Sequence, residues 1–445
     1  MILIKISIGV MTITQHTHPP ETTTRRARRL TTPALSAFAL AAALALSACG
    51  SAPTPSAADQ HTSHAAHAEA GAEAETAQSR LVLTHDGGMS VLDADTGKVA
   101  AELPLSGFNR VSPAGDGRHV LVSTAGGFQV LDMGSWSEKH GDHFHHFTGT
   151  PALEELKFPA NKPGHVVNHD GRTVLFDDGT GSIQIFNPGD LGQGALPATQ
   201  EFKTSAAHHG VAVQLAGGEL VVTEGTSESR SGVKLLAKPA SNGTREVLAE
   251  SNDCPGVHGE ATAQGGAVVV GCQDGLLVVK DGKITKITAP ERYGRIGNQA
   301  GSDASPVVLG DYKKDKNAEL ERPATFSLTN TATGTLTLVP INYSYSFRSL
   351  ARSADGAALI LGTDGKLHIH DANSGKESGA VTVVAPWEEP LDWQQPRPAI
   401  FVDGTTAYVS EPAKKLLHVV DLGSSTVTAS HSLAHTPNEI TGISG

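Results

Sequence analysis

The stretch Arg80–Leu103, RLVLTHDGGMSVLDADTGKVAAEL, decides how this chain folds. Short aliphatic and β-branched runs alternate with Asp86-Gly87-Gly88 and Asp95-Thr96-Gly97, so strands are joined by tight turns. A helix would need apolar residues at three- and four-residue steps, and none are sustained here. The same order returns as GRHVLVSTAGGFQVLD from Gly117, GRTVLFDDGTGSIQIFN from Gly171 and GGELVVTEG from Gly217. It returns again as GGAVVVGCQDGLLVVKDGKITKI from Gly265, AALILGTDGKLHIHDANSG from Ala357 and TTAYVSEPAKKLLHVVDLGSS from Thr405. Each unit reads as an inner strand, a Gly-containing hairpin, a second strand, a third ending in Asp or Asn, and a fourth.

Inner strands are expected near Asn109, His165, His208, Glu260, Ser302, Phe347, Pro398 and Asn438. Their average step, about 47 residues between Asn109 and Asn438, is close to the period of propeller blades. The predicted fold is all-β, a single β-propeller of four-stranded blades over residues 80–445, with eight blades and seven as the alternative. The alternative arises because the unit between Arg292 and Ile341 is irregular, its DYKKDKNAELERP insert reading as a surface loop. A last strand between Asn438 and Ile443 would pair with the segment that opens at Leu81. That closes the ring and removes exposed sheet edges.

Composition agrees with a folded, turn-rich protein: of 445 residues, 48 are Gly and 24 Pro, and 39% are hydrophobic. Only one stretch approaches the ~20 apolar residues of a membrane span, which excludes a multi-span protein. The net charge of -12 and the lack of a basic patch beyond the first 30 residues exclude a nucleic-acid footprint. The unusual count is 21 histidines beside 3 Cys, 4 Met and 5 Tyr. Histidine is the commonest metal ligand.

Arg25, Arg26, Arg28 and Arg29 precede an apolar run from Leu30 to Ala48, followed by Cys49. A basic flank, a short apolar core and small residues before the cut make an export signal, here residues 1–48. The Leu46-Ser47-Ala48-Cys49 box resembles a bacterial lipoprotein signal, which implies lipidation at Cys49. Residues 49–79 lack Leu, Ile, Val and aromatics, so nothing in them builds a core, and they read as a disordered tether. That tether carries His61, His64 and His67, a candidate accessory metal-capture motif.

Within the propeller, His140-Gly141-Asp142-His143 offers two imidazoles with a flexible Gly and a carboxylate between them. His165 and His169 share one face of a strand, because a separation of four is even. His208-His209 and His258-Gly259-Glu260 enter two later inner strands, and only one of His208 and His209 should face the channel. His165, His208 and His258 come from consecutive blades at similar entry positions, which is how a propeller gathers a multi-His site. Three or four such donors suit a zinc ion. Cys254 and Cys272, in an exported chain, read as a disulfide, with thiolate ligation of a metal as the alternative. Glu388, Glu389 and Asp392 form an acidic loop anchored by Trp387 and Trp393.

HGDH at His140, GHVVNHDG at Gly164, AHHG at Ala207 and the segment from Cys254 through His258-Gly259-Glu260-Ala261, in this order, resemble the AztD-type zinc metallochaperones. The resemblance covers residues 81–445 and implies a propeller that binds zinc outside the cytoplasm. It further implies a non-enzyme that passes zinc to a partner, the solute-binding protein of a zinc ABC importer. The lipoprotein signal and His-bearing tether depart from the family and imply a form anchored to the outer face of the cell membrane. Two other readings stand beside it. One is a lactonase-like, metal-dependent hydrolase with Glu260 as acid or base, and the other a metal-free interaction scaffold.

Overall fold

The computed structural model describes residues 71–445. The signal at 1–48, Cys49 and the tether histidines His61, His64 and His67 lie outside the described residues. Among the described residues, eight sheets share the predicted four-strand path, one of them with Gly294–Arg295 added parallel to Asp274–Lys280. Their inner strands are Val111–Pro113, Pro163–His169, Ala212–Gln214, His258–Ala263, Gln299–Ala300, Tyr345–Arg352, Ala399–Asp403 and Ile440–Ile443. Each lies within a few residues of its expected position.

Burial follows sequence across each unit. The strand Ala267–Cys272, AVVVGC, is buried along its whole length, whereas the outer strand Val99–Pro104 is mostly exposed. A strand covered on both faces tolerates continuous apolar residues, and an outer strand does not need them. The apolar contacts run between neighbouring sheets. Val82, Met89 and Val91 of one sheet, for example, pack with Val111, Val120, Val122 and Leu131 of the next. Ring closure is antiparallel, pairing Arg80 with Ile443 and Leu83 with Ile440. Of the expected insert, Asp311 ends the strand Val307–Asp311 and Tyr312 is buried, whereas residues 314–317 are exposed.

Every unit is traversed from inner to outer strand, so the starts of all inner strands gather at one end of the channel, the entry end. A third strand finishes at the opposite end. There the hairpin Ser135–His140 and His143–Thr148 leaves the second sheet before that sheet's outer strand, Ala152–Pro159. The hairpin forms a separate three-stranded sheet with Ala72–Ala74, in register Ala72 to Thr148 and Ala74 to His146. Composition assigns residues 72–74 to the tether, but pairing at a sheet edge draws on backbone groups alone and needs no apolar side chain. Cys254 and Cys272 are joined by a disulfide with their Cα atoms 4.9 Å apart, within an apolar cluster. No helix among the described residues is long and apolar enough to cross a membrane.

Candidate metal centre

Three imidazoles from consecutive sheets converge at the entry end. His165 comes from the strand Pro163–His169, His209 from the segment before Ala212–Gln214, and His258 opens the strand His258–Ala263. Ring centroids are 5.1 Å apart for His165 and His209, 5.2 Å for His209 and His258, and 6.4 Å for His165 and His258. Rings that share one tetrahedral ion at ~2.0 to 2.1 Å from each nitrogen have centroids about 5 Å apart, so the spacing suits a common ligand. Glu260 Oε2 stands 3.1 Å from His165 Nδ1, both side chains being almost wholly buried.

Local backbone geometry brings these groups together. The pairing of His258–Ala263 with its neighbour shifts register between His258 and Glu260. Gly259 takes a φ of +71 at that bulge, and a Cβ there would lie 2.4 Å from the Gly297 carbonyl oxygen. Only glycine accepts both the left-handed conformation and the close approach. The ring of His258 is fixed by Nδ1, 2.8 Å from the same carbonyl, and that of His209 by Nδ1, 2.6 Å from Asp178 Oδ2. With its Nδ1 donating to Asp178, the neutral His209 ring turns its Nε2 lone pair toward the other two imidazoles. His209 Nε2 is buried and has no hydrogen-bond partner. That orphaned acceptor, beside two more imidazoles and a buried carboxylate, fits a divalent cation.

Electrostatics favour the neutral, metal-binding form of two of these rings. Burial holds His258 well below the ordinary imidazole range, reinforced by the charge of Arg295 and by its neighbours His209 and His165. Burial also lowers His209, although hydrogen bonding to Asp178 opposes the shift. A ligand histidine must be deprotonated, so the site is prepared for a cation.

His208 and His169 are not brought into this group. His208 is buried, with Nδ1 2.9 Å from Ala206 O and Nε2 3.1 Å from Thr223 Oγ1, so both nitrogens have partners within the protein. The chain has not yet begun its strand at His208-His209, and it is His209 that faces His165 and His258. His169 ends its strand, a rise of about 13 Å from His165 along a β-strand, with Nε2 2.9 Å from Asp170 Oδ2. Cys254 and Cys272 are consumed by their disulfide, which removes the thiolate alternative. In the acidic loop, Glu389 is buried against Arg397 at 2.7 Å, while Trp387 Nε1 donates to Gly362 O, so the segment acts as an anchored connection.

A second group lies at the opposite end, on the projecting hairpin. His140 pairs across the turn with His143, and His145 lies two residues further along the same strand. Their ring centroids are 5.3, 5.5 and 4.9 Å apart, and His143 Nε2 is 3.1 Å from His145 Nε2. Glu73 Oε1 sits 2.7 Å from His145 Nδ1 and orients that ring. These histidines are more exposed than the entry-end group. His140 and His143 therefore cannot share an ion with His165, His209 or His258, because the two groups occupy opposite ends of the ring.

His145, Asp178 and Glu73 are the residues that motif reading passes over. The alternation in His143-Phe144-His145 already puts both imidazoles on one strand face, so His145 has a sequence signal. Asp178 and Glu73 have none, since each meets its histidine only through the fold.

No protein-family model matches the chain. It is 26% identical over 392 residues to the zinc chaperone AztD of Citrobacter koseri, covering 83% of this chain and 87% of that protein. The crystal structure of Citrobacter koseri AztD superposes with a TM-score of 0.71 at 23% identity, covering 83% of this chain and 99% of the other. The apo form of that protein gives a TM-score of 0.68, also at 23% identity, covering 83% and 100% of the two chains. The expected resemblance to AztD-type zinc chaperones is thus borne out in overall sequence and in fold.

Proposed function

We propose that this protein is an extracytoplasmic zinc metallochaperone, not an enzyme, and that zinc is its cargo. The observation that carries the reading is the convergence of His165, His209 and His258 beside Glu260, with Asp178 and the Gly297 carbonyl presetting two of the rings. Preset imidazoles lose little freedom on chelation, so this group is the tighter holder. The exposed trio His140, His143 and His145 is a second, more accessible acceptor. His61, His64 and His67 must order themselves to chelate and serve as a weak, fast capture arm. His169 and His208 have structural roles.

Zinc leaves by ligand exchange when the solute-binding protein of a zinc ABC importer docks and offers its own donors. The disulfide supports an oxidising compartment, and the signal with Cys49 supports a lipid anchor on the outer face of the cell membrane. The hydrolase reading loses its motive here, because Glu260 is almost wholly buried and sits against His165 among the candidate ligands. Competitive zinc titration of the full chain tests the proposal. Replacing His165, His209 and His258 by alanine should remove the tightest equivalent and abolish transfer to the binding protein. Unchanged tight binding would overturn it.

A further inference from the structure

The seam where the ring closes carries a third constellation of donors, apart from both histidine groups above. His85 ends the strand Arg80–His85, Glu102 lies on the outer strand Val99–Pro104 of the same sheet, and His435 lies in the loop before the closing strand Ile440–Ile443. One ligand atom from each lies within 4.8 Å of the other two. His85 Nε2 is 3.6 Å and His435 Nε2 4.0 Å from the same oxygen, Glu102 Oε2. The two imidazoles stack with centroids 3.9 Å apart and planes 14° from parallel, closer than the ~5 Å of rings that share an ion, so the more exposed His435 ring must swing outward to ligate.

Two further observations separate this from chance surface proximity. The His85 side chain is only 8% exposed, and its Nε2 is buried without a hydrogen-bond partner. Its Nδ1 lies 2.9 Å from the Asp86 carbonyl, which accepts that proton and leaves Nε2 as a lone pair facing a carboxylate. Two acceptors facing each other without a donor between them ask for a cation. Glu102 is also held in place, since Ser90 Oγ donates to its Oε2 at 2.8 Å.

We infer that His85, Glu102 and His435 form a third divalent-cation site, with zinc the best match to its two-nitrogen, one-oxygen donor set. Three protein donors leave one position for water or an incoming ligand, as in sites that exchange what they hold. The placement gives the ion a second effect. The His435 loop is hydrogen-bonded onto the first strand, with Asn438 N donating to Thr84 O and Glu439 N to Thr84 Oγ1. An ion here ties the two ends of the propeller sequence together and binds only the closed ring, so it stabilises closure by linkage.

The test is zinc titration of the full chain together with an anomalous-scattering map at the zinc edge, using zinc chloride as the probe. A peak between His85, His435 and Glu102 is expected, with loss of one zinc equivalent in each of His435→Gln and Glu102→Gln. Both substituted side chains are about half exposed, so the apo melting temperature should be unchanged, whereas the rise produced by zinc should shrink. No peak there at zinc levels that fill the His165, His209 and His258 group, or a peak that survives both substitutions, overturns the inference. The entry-end peak is read separately in the same map, so failure here is distinguishable from failure of the chaperone reading.

Discussion

Neighbouring histidines in this chain divide by what their nitrogens touch. His208 is engaged by Ala206 O and Thr223, whereas the adjacent His209 keeps Nε2 unpaired and is steered by Asp178. Asp178→Asn should therefore weaken tight zinc binding about 10- to 100-fold, the usual cost of losing an orienting partner. His208→Ala should lower the melting temperature and leave zinc stoichiometry unchanged, so titration and calorimetry of the two variants separate the roles. The pH response follows from burial. His209 and His258 are both held below the ordinary imidazole value of ~6.5, so a proton binds them more readily in the unfolded chain. Their contribution to apo stability is complete above pH ~6.5 and is lost as pH falls through the lowered folded values. Zinc should accordingly stay on the entry-end group as pH drops through ~6.5, which a binding series from pH 7.5 to 5 will check. The identities of the donors were readable in the motifs, but the choice between His208 and His209 was not. The segment Ser205–Val211 precedes its strand, and alternation has no register before a strand begins.

At the scale of elements, the bulge at Gly259 and the hairpin at Gly141 do different work. Gly259 lets His258 and Glu260 approach the wall formed with Gly297, and a Cβ there meets a backbone oxygen. Gly259→Ala should destabilise the protein by more than about 1 kcal/mol and reduce tight zinc binding with it. A Cβ at Gly141 meets nothing within 4 Å despite a φ of +63, so Gly141→Ala carries only the conformational cost. Thermal melts with parallel zinc titrations compare the two. The strands themselves were legible, because runs such as AVVVGC and HVLVST have few other ways to bury their surface. The three-stranded sheet built on Ala72–Ala74 was not. Its first strand, AEA, has no strand signature and is paired through its backbone by the histidine hairpin.

For the whole molecule, closure is the structural decision on which the rest depends. Ile440–Ile443 is the innermost strand of the sheet that also contains Arg80–His85, so chain ends supply one blade jointly. Removing residues 439–445 should expose the edge of Arg80–His85 and the apolar faces of Leu81 and Leu83, giving a protein that self-associates in size-exclusion chromatography and melts earlier. The repeat, its period, the strand types and the closing strand were legible in the sequence alone, whereas the choice between a disulfide and thiolate ligation at Cys254 and Cys272 was made by the structure. Each depends on local pattern or on residue type, which need no knowledge of distant neighbours. Only the tertiary structure decided that the histidines separate into groups at opposite ends of the ring, that His209 and not His208 joins His165 and His258, and that Asp178 and Glu73 orient their rings. It alone brought His435 over His85. Those outcomes depend on which blade faces which and on where a strand begins, and side-chain convergence across blades leaves no trace in the spacing of residues along the chain.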